Sequence, residues 1–139
     1  MSKIYNRLAA AALFVVTNAA VALAQSAMTA EIPFNFTTPA GSMRPGTYQV
    51  SQLPTSSSTV MYSLKNVESN KSVLLLAPAA VSRKASEQHT ASLSFDCAGE
   101  VCALKAVYPA YARTGSSISG RILARRTDGS LAEVRIPAR

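Results

Sequence analysis

The sequence predicts an all-β fold: a small antiparallel sandwich or barrel of seven to eight strands behind an N-terminal signal peptide. Three observations carry this. Short apolar runs recur between turn-forming groups, among them Pro39-Ala40-Gly41, Pro45-Gly46, Gly99-Glu100 and Thr127-Asp128-Gly129. Residues 91–108 form a hairpin on paper, with both cysteines facing each other across it. Beyond the N-terminal leader there is no second long apolar run, and with no Trp the core must come from Val, Leu, Ile, Phe and Tyr.

Residues 1–24 read as a leader and 25–139 as a single β domain. Lys3 and Arg7 form a positive start, residues 8–16 are apolar without a charge, and Ala22-Leu23-Ala24 is a small-x-small cleavage site before Gln25. The run is alanine-rich and broken by Thr17-Asn18, short for a span that needs about 20 apolar residues. A cleaved signal is therefore expected rather than a membrane anchor, with export to the periplasm or exterior and no span in the mature chain. Cleavage removes Lys3 and Arg7, and the formal charge falls from +7 to +5.

Residues 25–30 read as a polar lead. Residues 31–37 alternate, with Ile32, Phe34 and Phe36 on one face, and Pro33 marks an edge strand or a strand start. Pro45-Gly46 suits the centre of a type II turn. Residues 47–53 form the next strand, with Tyr48 and Val50 inward, and residues 59–67 another, with Val60, Tyr62 and Leu64 on one face. Residues 72–77 are apolar on both faces, so a central or doubly covered strand is expected. Residues 78–90 are the longest linker, with a short helical turn near residues 82–89.

In the cysteine hairpin, Gly99-Glu100 supplies a two-residue type II′ turn. The register sets Cys97 against Cys102, Phe95 against Leu104, Leu93 against Ala106 and Ala91 against Tyr108. Residues 115–117 read as loop. Residues 121–126 and 131–136 then form a last hairpin about Thr127-Asp128-Gly129, pairing Ile122 with Val134; a helix through residues 122–126 is the competing reading.

The order Pro33-Phe34-x-Phe36, then Pro45-Gly46-Thr47-Tyr48-x-Val50, then an apolar strand, a Leu-x-Phe hairpin and an Arg-rich end resembles a group of small exported bacterial proteins of unknown function. These share an F-x-F … P-x-G-T-Y-x-V opening. The resemblance covers most of the mature chain and departs from the group at the cysteine pair. It implies an exported all-β fold and lends no activity and no site residues.

Residues that could carry chemistry are few. Cys97 and Cys102 have Cys-x4-Cys spacing, not the Cys-x-x-Cys of redox sites, and a zinc site needs about four ligands where the chain offers two cysteines and His89. They read as a disulfide, Cys97 with Cys102, of an oxidising compartment. His89 lies in a polar linker with no nucleophile motif around it, the acids cannot be paired face to face, and phosphate loops are absent. No catalytic, cofactor or metal residues are therefore assigned, and the expectation is a non-enzyme without a cofactor. Asn35-Phe36-Thr37 and Asn70-Lys71-Ser72 match the glycosylation pattern and are read as unmodified.

The basic end is the functional hint. Arg113, Arg121, Arg125, Arg126, Arg135 and Arg139 cluster in the last 27 residues. Arg121, Arg125, Arg126 and Arg135 form a candidate surface for an anionic partner, such as envelope polysaccharide or lipid headgroups. Nucleic acid is not expected, because aromatics are not interleaved with the arginines. The expected role is a structural or interaction module of the cell envelope or exterior. The alternative is a barrel that binds a small apolar ligand.

Overall fold

The computed structural model describes residues 27–118 and 131–139. The leader, Arg121, Arg125, Arg126 and the first strand of the expected last hairpin lie outside the described residues. The rest is one curled sheet of eleven strands, a half-barrel. The strands are β1 (Ala27–Ile32), β2 (Phe36–Thr38), β3 (Gly41–Met43), β4 (Gly46–Leu53), β5 (Val60–Asn66), β6 (Ser72–Ala77), β7 (Ala79–Ser82), β8 (Ala91–Ala98), β9 (Val101–Tyr108), β10 (Thr114–Ser117) and β11 (Ala132–Ala138). Only β2 on β9 is a parallel pairing among them.

Along the sheet the order is β3-β2-β9-β8-β11-β1-β4-β5-β6. Pro78 interrupts the strand that begins as β6 and continues as β7. Past that break the chain turns to β10, pairing Ser82 with Thr114 through Ala79 with Ser117. β10 in turn pairs β9 at Val107 and Ala106. The sheet is thus led back on itself along half its height. Along the other half, β6 and β3 each end the sheet without a further partner among the described residues.

Alternation explains most of the elements. In β4 and β5 the inward residues Tyr48, Val50, Tyr62 and Leu64 are buried, as their spacing requires. Phe36, Phe95, Leu93 and Leu104 join them in the core. The aromatic rings meet edge to face, Phe36 against Phe95 and Tyr48 at 5.3 Å each, and Phe34 against Phe95 at 5.1 Å. Burial raises the pKa of Tyr62, whose hydroxyl shares a 3.0 Å hydrogen bond with Ser116 on β10.

Several expectations are corrected. β1 begins at Ala27 and buries Met28 and Ala30, so the described part of the polar lead, residues 27–30, is strand. The expected strand over residues 31–37 is two, because the chain leaves β1 after Ile32 and re-enters the sheet as β2 at Phe36. Gly46 stands at φ +153°, far from the roughly +80° of a type II turn. β7 and β10 lie in stretches expected to be linker and loop, and the helical turn shrinks to a 3-10 turn at Ala85–Glu87.

The cysteine hairpin forms with Cys97 against Cys102 and Phe95 against Leu104. Gly99 has φ +62° and Glu100 is not positive, the pattern of a type II′ turn. Beyond Phe95 the register slips. Ser94 faces Ala106 and Leu93 faces Val107, leaving Lys105 as the extra residue of a bulge. One extra residue exchanges the faces. Val107 therefore enters the core, and Tyr108 moves to the outer face, while Ala91 pairs with Ala138 instead.

Candidate functional site

Cys97 and Cys102 form a disulfide with Cα atoms 4.0 Å apart, both largely buried at the hairpin tip. β2 lies alongside, where Thr37 Oγ1 donates to the Cys102 carbonyl at 3.3 Å. Among the described residues no three His, Cys, Asp or Glu side chains gather to hold a metal ion. No described helix is long and apolar enough to cross a membrane. His89 is exposed, its ring edge-on to Tyr111 at 5.7 Å, and Tyr111 is 80 % exposed at φ +60°.

Arg135 is the described member of the expected arginine surface, and its charge is already matched. Its Nε donates to Glu133 at 2.9 Å and its Nη1 to Glu87. These partners raise its pKa, Glu133 first, while the Arg135 hydrogen bond is the leading cause that lowers the pKa of Glu133. Lys105 bridges Asp96 and Glu133 at 3.2 Å each; burial pulls its pKa down, but the two carboxylates outweigh it and raise it. The outer face of β8, β9 and β11 therefore carries an ion-pair network that matches both Lys105 and Arg135.

The unbalanced surface is elsewhere, at β6. β6 ends the sheet among the described residues, and its outward-facing Leu74 and Leu76 are 59 % and 55 % exposed. This corrects the expectation of a central strand. A run apolar on both faces is compatible with double cover, but here the inward Leu75 and Ala77 meet the core and the outward leucines meet solvent. Pairing extends the apolar stripe across three strands, from Leu76 to Met61 and from Met61 to Leu53. Between the flanking Lys71 and Pro78 the edge contains no charge or proline, the residues that usually guard free edges.

An open cleft of about 650 Å³ lies at the start of β6, between that strand and β3, and Met43, Arg44, Tyr48, Glu68, Lys71 and Val73 are among its lining residues. Its walls are built locally. The Tyr48 hydroxyl donates to the Arg44 carbonyl at 2.6 Å, holding the entry to β4. Asn66 Oδ1 accepts from the Ser69 amide at 2.8 Å and shapes the β5–β6 turn. Gly46 is required here, since a Cβ would stand 2.5 Å from Glu68 Oε2 and 3.0 Å from Asn66 Nδ2. The Glu68 carboxylate accepts from the Thr47 amide at 3.4 Å, and neither Arg44 nor Lys71 makes an ion pair among the described residues.

Sequence reasoning read residues 72–77 as strand but missed this edge and its cleft. No residue of that strand marks it as an edge, since a run apolar on both faces reads as covered. Chemically, the edge offers peptide groups unpaired among the described residues, an apolar stripe and two cations at one end. Comparison of the chain with protein-family models, curated proteins and solved structures finds no match.

Proposed function

We propose that this chain is an exported β domain acting as an interaction module of the cell envelope or exterior, and that β6 is its working edge. One observation carries the reading: a six-residue edge strand without a guard residue keeps two leucines more than half exposed. Soluble domains normally protect such edges, and strand addition is the recognition mode that uses them. The disulfide is compatible with export.

The other surface reading, attraction to anionic envelope polysaccharide or lipid headgroups, rests on Arg121, Arg125 and Arg126, which lie outside the described residues. Arg135 adds little free charge to it, being paired with Glu133 and Glu87. A small apolar ligand inside the sheet gains no support, because Tyr48, Tyr62, Phe36, Phe95 and the core leucines occupy the inner face.

The test is a photo-crosslinking residue in place of Leu74, with one in place of exposed Thr29 as control, in cells exporting the protein. The reading expects adducts at position 74 that are absent at 29. No adducts at 74, or equal adducts at both, would remove it. The mass of the recovered chain reports whether residues 1–24 are lost.

A further inference from the structure

Building on β6 as a docking edge, we infer that its occupant is an extended acidic segment of a partner protein. Its apolar side chains lie along Leu74 and Leu76, and its carboxylates reach Arg44 and Lys71 in the cleft. Side chains of an added strand alternate faces and stand beside those of the strand they join. Along most of β6 those neighbours are Val73, Leu74, Leu75, Leu76 and Ala77, so the matching part of the occupant is apolar.

At the Ser72 end the surroundings change sign. Lys65 on β5 pairs directly with Ser72, Lys71 precedes it, and Arg44 lies on the facing wall of the cleft. None of the three makes an ion pair among the described residues, and Glu68, the acid of the cleft, turns to the Thr47 amide. This end attracts carboxylates and repels a basic segment. A second copy is disfavoured on the same ground, since both chains carry the same net positive charge, +7 for the whole sequence and +5 without Lys3 and Arg7.

The test uses the purified exported chain and two blocked peptides, each an alternating Val/Thr run, one ending in Glu-Asp and the other in Gln-Asn. The acidic peptide should bind roughly three- to tenfold tighter at low salt, as one or two partly exposed ion pairs allow. The difference should shrink as salt is added. Lys71→Glu with Arg44→Glu should abolish it, while Leu74→Asp or Leu76→Lys should weaken both peptides with the circular dichroism unchanged. Equal binding of the two peptides, still lost in Leu74→Asp, would overturn the acidic partner and leave the docking edge standing. Binding of neither peptide overturns the inference. So do β6 amides already protected from exchange in the monomer, which would mean the chain covers its own edge, and a dimer that Leu74→Asp dissociates.

Discussion

Arg135 lies over the ring of Tyr108, its guanidinium carbon 5.1 Å from the ring centroid. Arg83 approaches the same ring at 5.4 Å. Two cations on one aromatic ring repel each other, and the structure answers both. Arg135 is paired with Glu133 and Glu87, whereas Arg83 donates to the carbonyls of Pro109, Ala112 and Thr90. Burial is the first cause acting on Arg83 and lowers its pKa. Tyr108 is available for this role only because the bulge at Lys105 turns it to the outer face.

Arg83 thereby ties the end of β7 to two loops that no strand ladder holds. Arg83→Met keeps most of the aliphatic stem and removes all three carbonyl contacts. A loss of about 1–3 kcal/mol is expected. It should appear in urea unfolding as a lower midpoint with an unchanged slope. Amide exchange should quicken in residues 109–112 before it does in β4 or β5. An unchanged midpoint would mean that water replaces the guanidinium at no cost.

Gly115 has the same ring as its neighbour. A Cβ at this position would lie 2.3 Å from Tyr108 Cδ1 and 3.0 Å from the Val107 carbonyl oxygen. Gly115→Ala should therefore destabilise by about 1–3 kcal/mol through overpacking. The double variant Gly115→Ala with Tyr108→Ala should lose less than the sum of the single variants, because removing the ring makes room for the methyl group. Additive losses in this double-mutant cycle would place the cause of the destabilisation away from the ring.

These contacts also show where the fold could be read in advance. Tyr48 and Val50, or Tyr62 and Leu64, alternate with polar residues, and that period fixed β4 and β5 and their inward faces. β7 and β10 left no such trace. Ala79-Ala80-Val81-Ser82 and Thr114-Gly115-Ser116-Ser117 are built mostly of small residues, which have no apolar period to read, and at Gly115 the Tyr108 ring takes the space a side chain would need. The bulge at Lys105 has no glycine or proline to announce it, yet it moved Val107 inward and Tyr108 outward. For β6 the strand was legible and its edge position was not, since an apolar run does not reveal which face lacks a neighbour.

The disulfide should act locally. It closes a short loop, for which about 2 kcal/mol is the expected stabilisation. β2 rests on β9 through only two paired residues, Phe36 with Cys102 and Thr37 with Ala103. Cys97→Ser with Cys102→Ser should then speed amide exchange at the tips of β8 and β9 and in β2 and β3, with β4 and β5 quickened only through the global loss. Uniform acceleration across the sheet would show that the bond staples the whole domain and not one hairpin.

The pH dependence follows from Glu133. Its folded pKa is lowered, first by the Arg135 hydrogen bond, below the ordinary 4.5. The unfolded chain therefore takes up its proton first as acid is added, and stability rises with pH in that range. The contribution is complete above about 4.5 and is lost as pH falls through the lower folded value. Lys105 and Arg135 act with the opposite sign, because their carboxylate partners raise their folded pKa values above the ordinary ones. Their share is present at neutral pH and is lost only in strong alkali. All three side chains are more than a third exposed, so solvent screening keeps the effect small. Glu133→Gln should lower the urea midpoint at pH 7 and leave it nearly unchanged at pH 3, flattening the acid limb of the profile. Parallel profiles for the two proteins would mean that these ion pairs contribute nothing to folding.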